Sequence, residues 1–185
     1  MKSRLATTND IHQVLALQKL NIFANLSEAE REDGFVTTPF TYAQIREIIG
    51  LKGLFVTEME GEIIAYVFAG SWKYFSQWKI FKVMIASFPK LIFDGKRINT
   101  QNTFQYGPIC IKKNFRGNGI LQSLFEKMRL EMLKKYPISI TFINKENKRS
   151  IFAHTQKLHW NIIDEFEFND NTYVTLGFDM KNSVL

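Results

Sequence analysis

Ile109-Cys110-Ile111-Lys112-Lys113-Asn114-Phe115-Arg116-Gly117-Asn118-Gly119-Ile120-Leu121 carries an apolar strand through a glycine-containing turn straight into an amphipathic helix. The first backbone N–H groups of a helix have no intrahelical partner and point outward. Together with the helix dipole they form a site for an anion. Glycines let a phosphate approach the backbone with no Cβ in the way. The stretch therefore predicts a phosphate-binding turn, and by itself it does not say which phosphate.

Working outward, residues 104–113 read as a strongly apolar strand and 119–135 as a helix, with Leu121, Leu124, Phe125, Met128 and Met132 on one side. A strand follows at 138–143, a shorter helix at 148–158, and two closing strands at 161–168 and 172–180, joined across Asn169-Asp170-Asn171. Upstream, residues 1–6 read as a first strand, and Thr7 or Thr8 caps a helix bearing Ile11, Val14 and Leu15. Ser27 with Glu30, and Thr41 with Gln44, have capping-box spacing and mark two further helix starts. The strands 54–57 and 62–69 flank Glu60-Gly61, a hairpin turn. Between 72 and 93, Trp72, Tyr74, Phe75, Trp78, Phe81, Ile85 and Phe88 recur at helical spacing, as a substrate lid, a dimer face or core cover. The whole reads as one mixed α/β (α+β) domain over residues 1–185.

Composition narrows the class. A 45% hydrophobic share with 17 Phe is ample for a packed core and argues against disorder. The lone Cys110 cannot form an internal disulfide, which fits a reducing compartment. No apolar leader follows the first charges and no window is long enough to span a bilayer, so a cytoplasmic protein with no membrane partner is expected. The net charge is +6, and it is uneven: residues 112–157 hold eleven Lys or Arg against three Glu, a net of +8. Such a stretch fits a polyanion, either a phosphorylated cofactor or nucleic acid.

The turn resembles the coenzyme A-binding motif of the GCN5-related N-acetyltransferases, the GNAT superfamily, written Gln/Arg-x-x-Gly-x-Gly/Ala. Arg116 and Gly119 match its first and fourth positions, and Leu121 stands where the sixth is Gly or Ala. A second patch, residues 147–160, is similar to the family's late-helix signature. Asn147, Ser150, His154, Lys157 and Leu158 match it, His159-Trp160 replaces the usual Gly-Phe, and one extra residue lies between His154 and Lys157. The resemblance runs over nearly the whole chain. It implies a mostly antiparallel twisted sheet with a parallel pair splayed at the cofactor cleft, between the strands near 104–111 and 138–143. It also implies acetyl-CoA as cosubstrate and a primary amine as acceptor. Backbone of Ile109, Cys110 and Ile111 would pair with the pantetheine arm. Arg116, Gly117, Asn118, Gly119, Ile120 and Leu121 would take the pyrophosphate, and Asn147, Ser150 and Lys157 would complete the cofactor-binding set.

For proton transfer the candidates are His154, whose ordinary pKa near 6.5 suits an acid or a base, and Tyr106, at the start of the cofactor strand. Cys110 sits inside an apolar strand and reads as a small hydrophobe, not as an acyl-carrying nucleophile. Glu58, Glu60 and Glu62 read as solvated turn charges. The three histidines have no metal-ligand spacing, so no metal is expected. No reading helix or RNA-binding strand motif is present, so nucleic acid is not expected as a partner. The alternatives are a coenzyme A-binding module without catalysis and, ranked after it, a nucleic-acid-binding protein, which the basic stretch favours and the missing motif opposes. The final hairpin and the aromatic segment are the candidate faces of a homodimer.

Overall fold

The computed structural model describes residues 1–185. In chain order it contains β1 (Lys2–Leu5), α1 (Ile11–Lys19), α2 (Glu28–Arg31), α3 (Tyr42–Gly50), β2 (Leu54–Met59), β3 (Glu62–Gly70), α4 (Trp72–Phe75) and α5 (Lys79–Ser87). There follow β4 (Ile92–Phe93), β5 (Lys96–Arg97), β6 (Thr103–Ile111), α6 (Ile120–Met132) and β7 (Ile138–Asn144). The chain ends with α7 (Lys148–Phe152), a π-helical turn (Ala153–Lys157), β8 (Asn161–Phe168) and β9 (Asn171–Asp179). Seven strands form a mixed sheet in the order β1-β2-β3-β6-β7-β9-β8, with β6 and β7 parallel, and β4-β5 is a separate hairpin. The chain divides into two compact units: Met1–Ala69 with Gly107–Glu131 and Leu185, and Gly70–Tyr106 with Met132–Val184. The strand β6 passes from one to the other at Tyr106-Gly107, and the Gly107-Pro108 peptide is cis.

In the first unit, β1 pairs antiparallel with β2 and β2 with β3. Glu60 and Gly61 both have positive φ (52° and 82°), the backbone of a tight two-residue hairpin turn. Both capping boxes form: Ser27 accepts from Glu30 N, and Thr41 from Gln44 N. The continuous apolar run of β3 is buried from Ile63 to Gly70. Ile11, Val14, Ile45, Ile48, Phe55 and Phe125 are buried with it. Arg4 ties β1 to its neighbours, with Nη1 and Nη2 on the Asp10 carboxylate and Nη2 on Glu58 Oε2 at 2.5 Å. The buried Gln18 side chain acts as a piece of backbone, donating to Phe40 O and accepting from Phe40 N, both at 2.9 Å. The last helix of this unit, α6, stops at Met132, short of the expected 135, and its ion pairs join Lys127 to Glu131 and Arg129 to Glu126.

In the second unit the parallel β6–β7 ladder has three registered pairs, Thr103↔Ile138, Phe104↔Ser139 and Gln105↔Ile140. It ends there although β7 runs on to Asn144, fully paired with β9 on its other side. The aromatic segment is two helices, where the spacing had suggested one. Ser76 Oγ donates to Lys73 O and Gln77 Nε2 to Tyr74 O, so side chains take carbonyls that a continuing helix would use. Its rings are core cover: Trp72, Tyr74, Phe75, Phe81 and Phe88 are buried. Phe81 meets Phe142 edge-on at 5.2 Å, and Trp72 Nε1 donates to Thr103 Oγ1 at 2.9 Å. The β4-β5 hairpin was not read from the sequence. Its turn is Asp94-Gly95, both at positive φ, and Phe93 from it packs on Gly177, where a Cβ would stand 3.1 Å from the ring.

Candidate active site

The turn after β6 is built in three steps. Residues Lys113–Phe115 form one 3-10 turn, Arg116 is extended, and Gly117 and Gly119 take positive φ of 87° and 75°. The helix α6 then starts at Ile120. A Cβ added at Gly117 or Gly119 would meet nothing within 4 Å, so the outer face of the turn is open. Residues 117–119 are exposed, Ile120 is buried and Leu121 is half-buried. Open glycine backbone ahead of a 13-residue helix is a cradle that an anionic group can enter.

Arg116 is engaged by acceptors of the protein itself. Its Nε donates to Ile111 O at 2.9 Å, Nη1 to Asp33 O at 2.6 Å, and Nη2 to Asn21 Oδ1 at 2.8 Å. The guanidinium braces the turn. A groove of about 260 Å³ lies beside it, lined among others by Leu17, Asn21, Leu26, Asp33 and Lys113. Upstream on β6, Ile109 and Ile111 are half-buried and Cys110 is buried, with burial pushing its thiol up to about 12. Tyr66 adjoins the thiol and is itself buried. No thiolate nucleophile forms there at neutral pH, in line with the hydrophobe reading. Of the hairpin carboxylates, Glu58 pairs with Arg4, and Glu62 pairs with Lys112.

In the second unit, Tyr106, His154 and Trp160 form one ring cluster. Tyr106 lies 5.5 Å from His154 and 5.0 Å from Trp160, and His154 lies 5.9 Å from Trp160, between centroids. The extra residue between His154 and Lys157 is absorbed as the π-helical turn, which is how one inserted residue fits a helix without breaking it. His154 is 3% exposed, with Nδ1 2.7 Å from Ser150 O, so Nδ1 carries the proton and Nε2 the lone pair. Nε2 is buried without a hydrogen-bond partner. Burial lowers the His154 pKa to about 4, and burial holds the Tyr106 hydroxyl far above its ordinary value. Asn147 caps α7 by accepting from Ser150 N at 3.1 Å, and Lys157 is exposed. The structure thus gathers Tyr106 with His154, and Asn147 with Ser150. It adds Asn21 and Asp33, which no sequence signal marked, and it brings Trp160, noted in the sequence only as a departure from the signature, against Tyr106 and His154. No cluster of three His, Cys, Asp or Glu residues is placed to hold a metal, and no helix is long and apolar enough to cross a membrane.

Neither a known family profile nor any curated protein matches the sequence. Solved structures do match over nearly the full chain. A GNAT-family acetyltransferase of Streptococcus agalactiae superposes with a TM-score of 0.65 at 16% identity, covering 96% of this chain and 94% of its own. An N-acetyltransferase of Staphylococcus aureus gives 0.62 at 18%, covering 97% and 98%. YncA of Salmonella typhimurium, a candidate acetyltransferase solved with its cofactor acetyl-CoA, gives 0.63 at 12%, covering 97% and 94%. The fold is that of the GNAT acetyltransferases. The parallel β6–β7 pair expected of a GNAT sheet is present. Within this GNAT fold, the strand–turn–helix of residues 109–121 keeps its two positive-φ glycines although Leu121 departs from the motif.

Proposed function

We propose that the whole chain is an N-acetyltransferase domain that moves an acetyl group from acetyl-CoA to a primary amine by direct attack in a ternary complex. The observation that carries this reading is the exposed Gly117–Gly119 turn at the start of α6, with positive φ at both glycines and open space where a Cβ at either would stand. The backbone of residues 117–121 would hold the pyrophosphate, and β6 backbone at Ile109–Ile111 would pair with the pantetheine arm. Asn147, Ser150 and Lys157 belong to the same cofactor-binding set. The acetyl thioester supplies the activated carbonyl. A neutral amine attacks it to form the C–N bond, a backbone N–H stabilises the oxyanion, and the C–S bond breaks as the intermediate collapses; the thiolate takes a proton from the donor, and the surplus proton on the new amide nitrogen returns to that donor. Tyr106 is the candidate donor by its place at the start of the cofactor strand, and because burial makes its hydroxyl a weak acid, it gives up its proton only in concert with regaining the one from nitrogen. His154 is uncharged at neutral pH and its Nδ1 proton is committed to Ser150 O, which leaves only the Nε2 lone pair, so it is not the proton donor.

A second reading, a coenzyme A-binding module without transfer, draws on the deep burial of both Tyr106 and His154. The two separate in one experiment. Acetyl-CoA at a hundredfold over Kd should stabilise the fold by about 2.7 kcal/mol. Gly119→Val places a β-branched residue at φ 75° on the open face, and should weaken acetyl-CoA about 30-fold by calorimetry. Free-thiol release with a panel of amines then distinguishes transfer from binding. No thermal shift at millimolar acetyl-CoA would sink both readings.

A further inference from the structure

Arg116 is heavily committed at the anion turn, and two of its hydrogen bonds go to a different segment. Residues 21–36 form a loop closed on itself: Val36 N donates to Asn21 O at 2.8 Å, Phe23 N donates to Val36 O at 3.0 Å, and Ile22 and Val36 bridge. Asn21 is buried, and its Nδ2 donates to Leu17 O at 2.8 Å, so its Oδ1 is fixed in place for Arg116. Asp33 O takes Nη1, and the Asp33 carboxylate pairs with Lys113 at 2.7 Å. The turn is therefore tied at Arg116 and Lys113 to the neck of this loop.

We propose that Asn21 and Asp33 are positioning residues for cofactor binding. They keep Arg116 engaged, so that the turn offers backbone N–H groups alone to the phosphates. The inference rests on the acetyl-CoA reading. It goes beyond it by assigning part of the cofactor affinity to a loop that does not enter the turn. Arg116 as a direct phosphate ligand is the contrary view, and the two predict opposite signs. Cutting the Asn21 bond would free a phosphate ligand and tighten binding, whereas it would loosen a positioned turn and weaken binding.

The test compares Asn21→Leu, which removes the acceptor, with Asn21→Asp, which keeps it. Arg4→Gln, which loosens β1 instead, is the control for lost stability. Asn21→Leu should raise KM for acetyl-CoA about 10-fold with kcat within twofold, and Asn21→Asp should return KM to within about threefold of the parent. Trypsin should cut after Arg116 about 10-fold faster in Asn21→Leu than in Arg4→Gln, because the guanidinium is released. Tighter or unchanged acetyl-CoA binding in Asn21→Leu overturns the proposal, as does failure of Asn21→Asp to rescue. If the parent binds no acetyl-CoA, the acetyltransferase reading falls and the cleavage arm decides alone: unchanged cutting after Arg116 overturns the brace.

Discussion

Gly53→Ala should cost the fold about 3 kcal/mol or more, although Gly53 is remote in sequence from every candidate site residue. Gly53 sits where α3 hands over to β2, with its N–H donating to Ile48 O and its carbonyl accepting from Ala69 N at 2.8 Å. A Cβ there would stand 2.2 Å from Ala69 O and 2.6 Å from Ile48 Cδ1. The first is backbone inside a sheet and cannot move aside, and the second belongs to a fully buried side chain. The same substitution three residues earlier should act the other way. Gly50 is the last residue of α3 and a Cβ there meets nothing within 4 Å. Alanine at position 50 should add about 0.5–1 kcal/mol through helix propensity. Thermal melts check both: a drop of roughly 6–12 °C for Gly53→Ala and a small rise for Gly50→Ala. Equal behaviour of the two would refute the packing argument.

The contrast between Gly50 and Gly53 shows what the sequence could carry. Signals resolved within a few residues were readable: the boxes at Ser27/Glu30 and Thr41/Gln44, the Glu60-Gly61 turn, and the strand–glycine–helix run at 109–121. Each places a donor and its acceptor, or a positive φ, inside a single turn, and the structure forms all of them. The mixed sheet followed from their order. What depends on distant partners was not readable. The break at Ser76–Trp78 turns on which carbonyls two side chains take, and the apolar spacing ran straight across it. Asp94-Gly95 was a local hairpin signal, but its strands are two residues each and left no alternation to notice. Asn21 lies 95 residues from Arg116 in sequence, and nothing in the polar stretch around it marks the bond. The extra residue near His154 was visible, but its accommodation as a π-helical turn that leaves His154 buried required the three-dimensional neighbours Tyr106 and Trp160.

His154 should leave its own mark on the pH dependence of stability. In the fold its pKa is lowered by burial to about 4, against the hydrogen bond to Ser150 O, which raises it. In the unfolded chain it returns to about 6.5. Between those values the unfolded chain binds the extra proton, so stability rises with pH across that window. The contribution is complete above about pH 6.5, falls away as the pH drops toward 4, and amounts to about 3 kcal/mol. Asp10 acts in a separate and more acidic window. Its carboxylate is held low mainly by the Arg4 hydrogen bond, so its contribution is present above the ordinary carboxylate range and is lost as the pH falls through its lowered value. Urea titrations of the parent and His154→Gln at pH 7 and pH 4.5 isolate the histidine. The parent should lose about 2–3 kcal/mol more than the variant, and parallel profiles would refute the assignment. The same charge state bears on catalysis. A histidine that is neutral down to about pH 4 cannot protonate a leaving thiolate at pH 7, so turnover should show no acidic limb near 6.5 from His154. If Tyr106 relays the proton to the thiolate as proposed, Tyr106→Phe should lower kcat more than His154→Gln does, because the His154 Nδ1 proton is committed to Ser150 O.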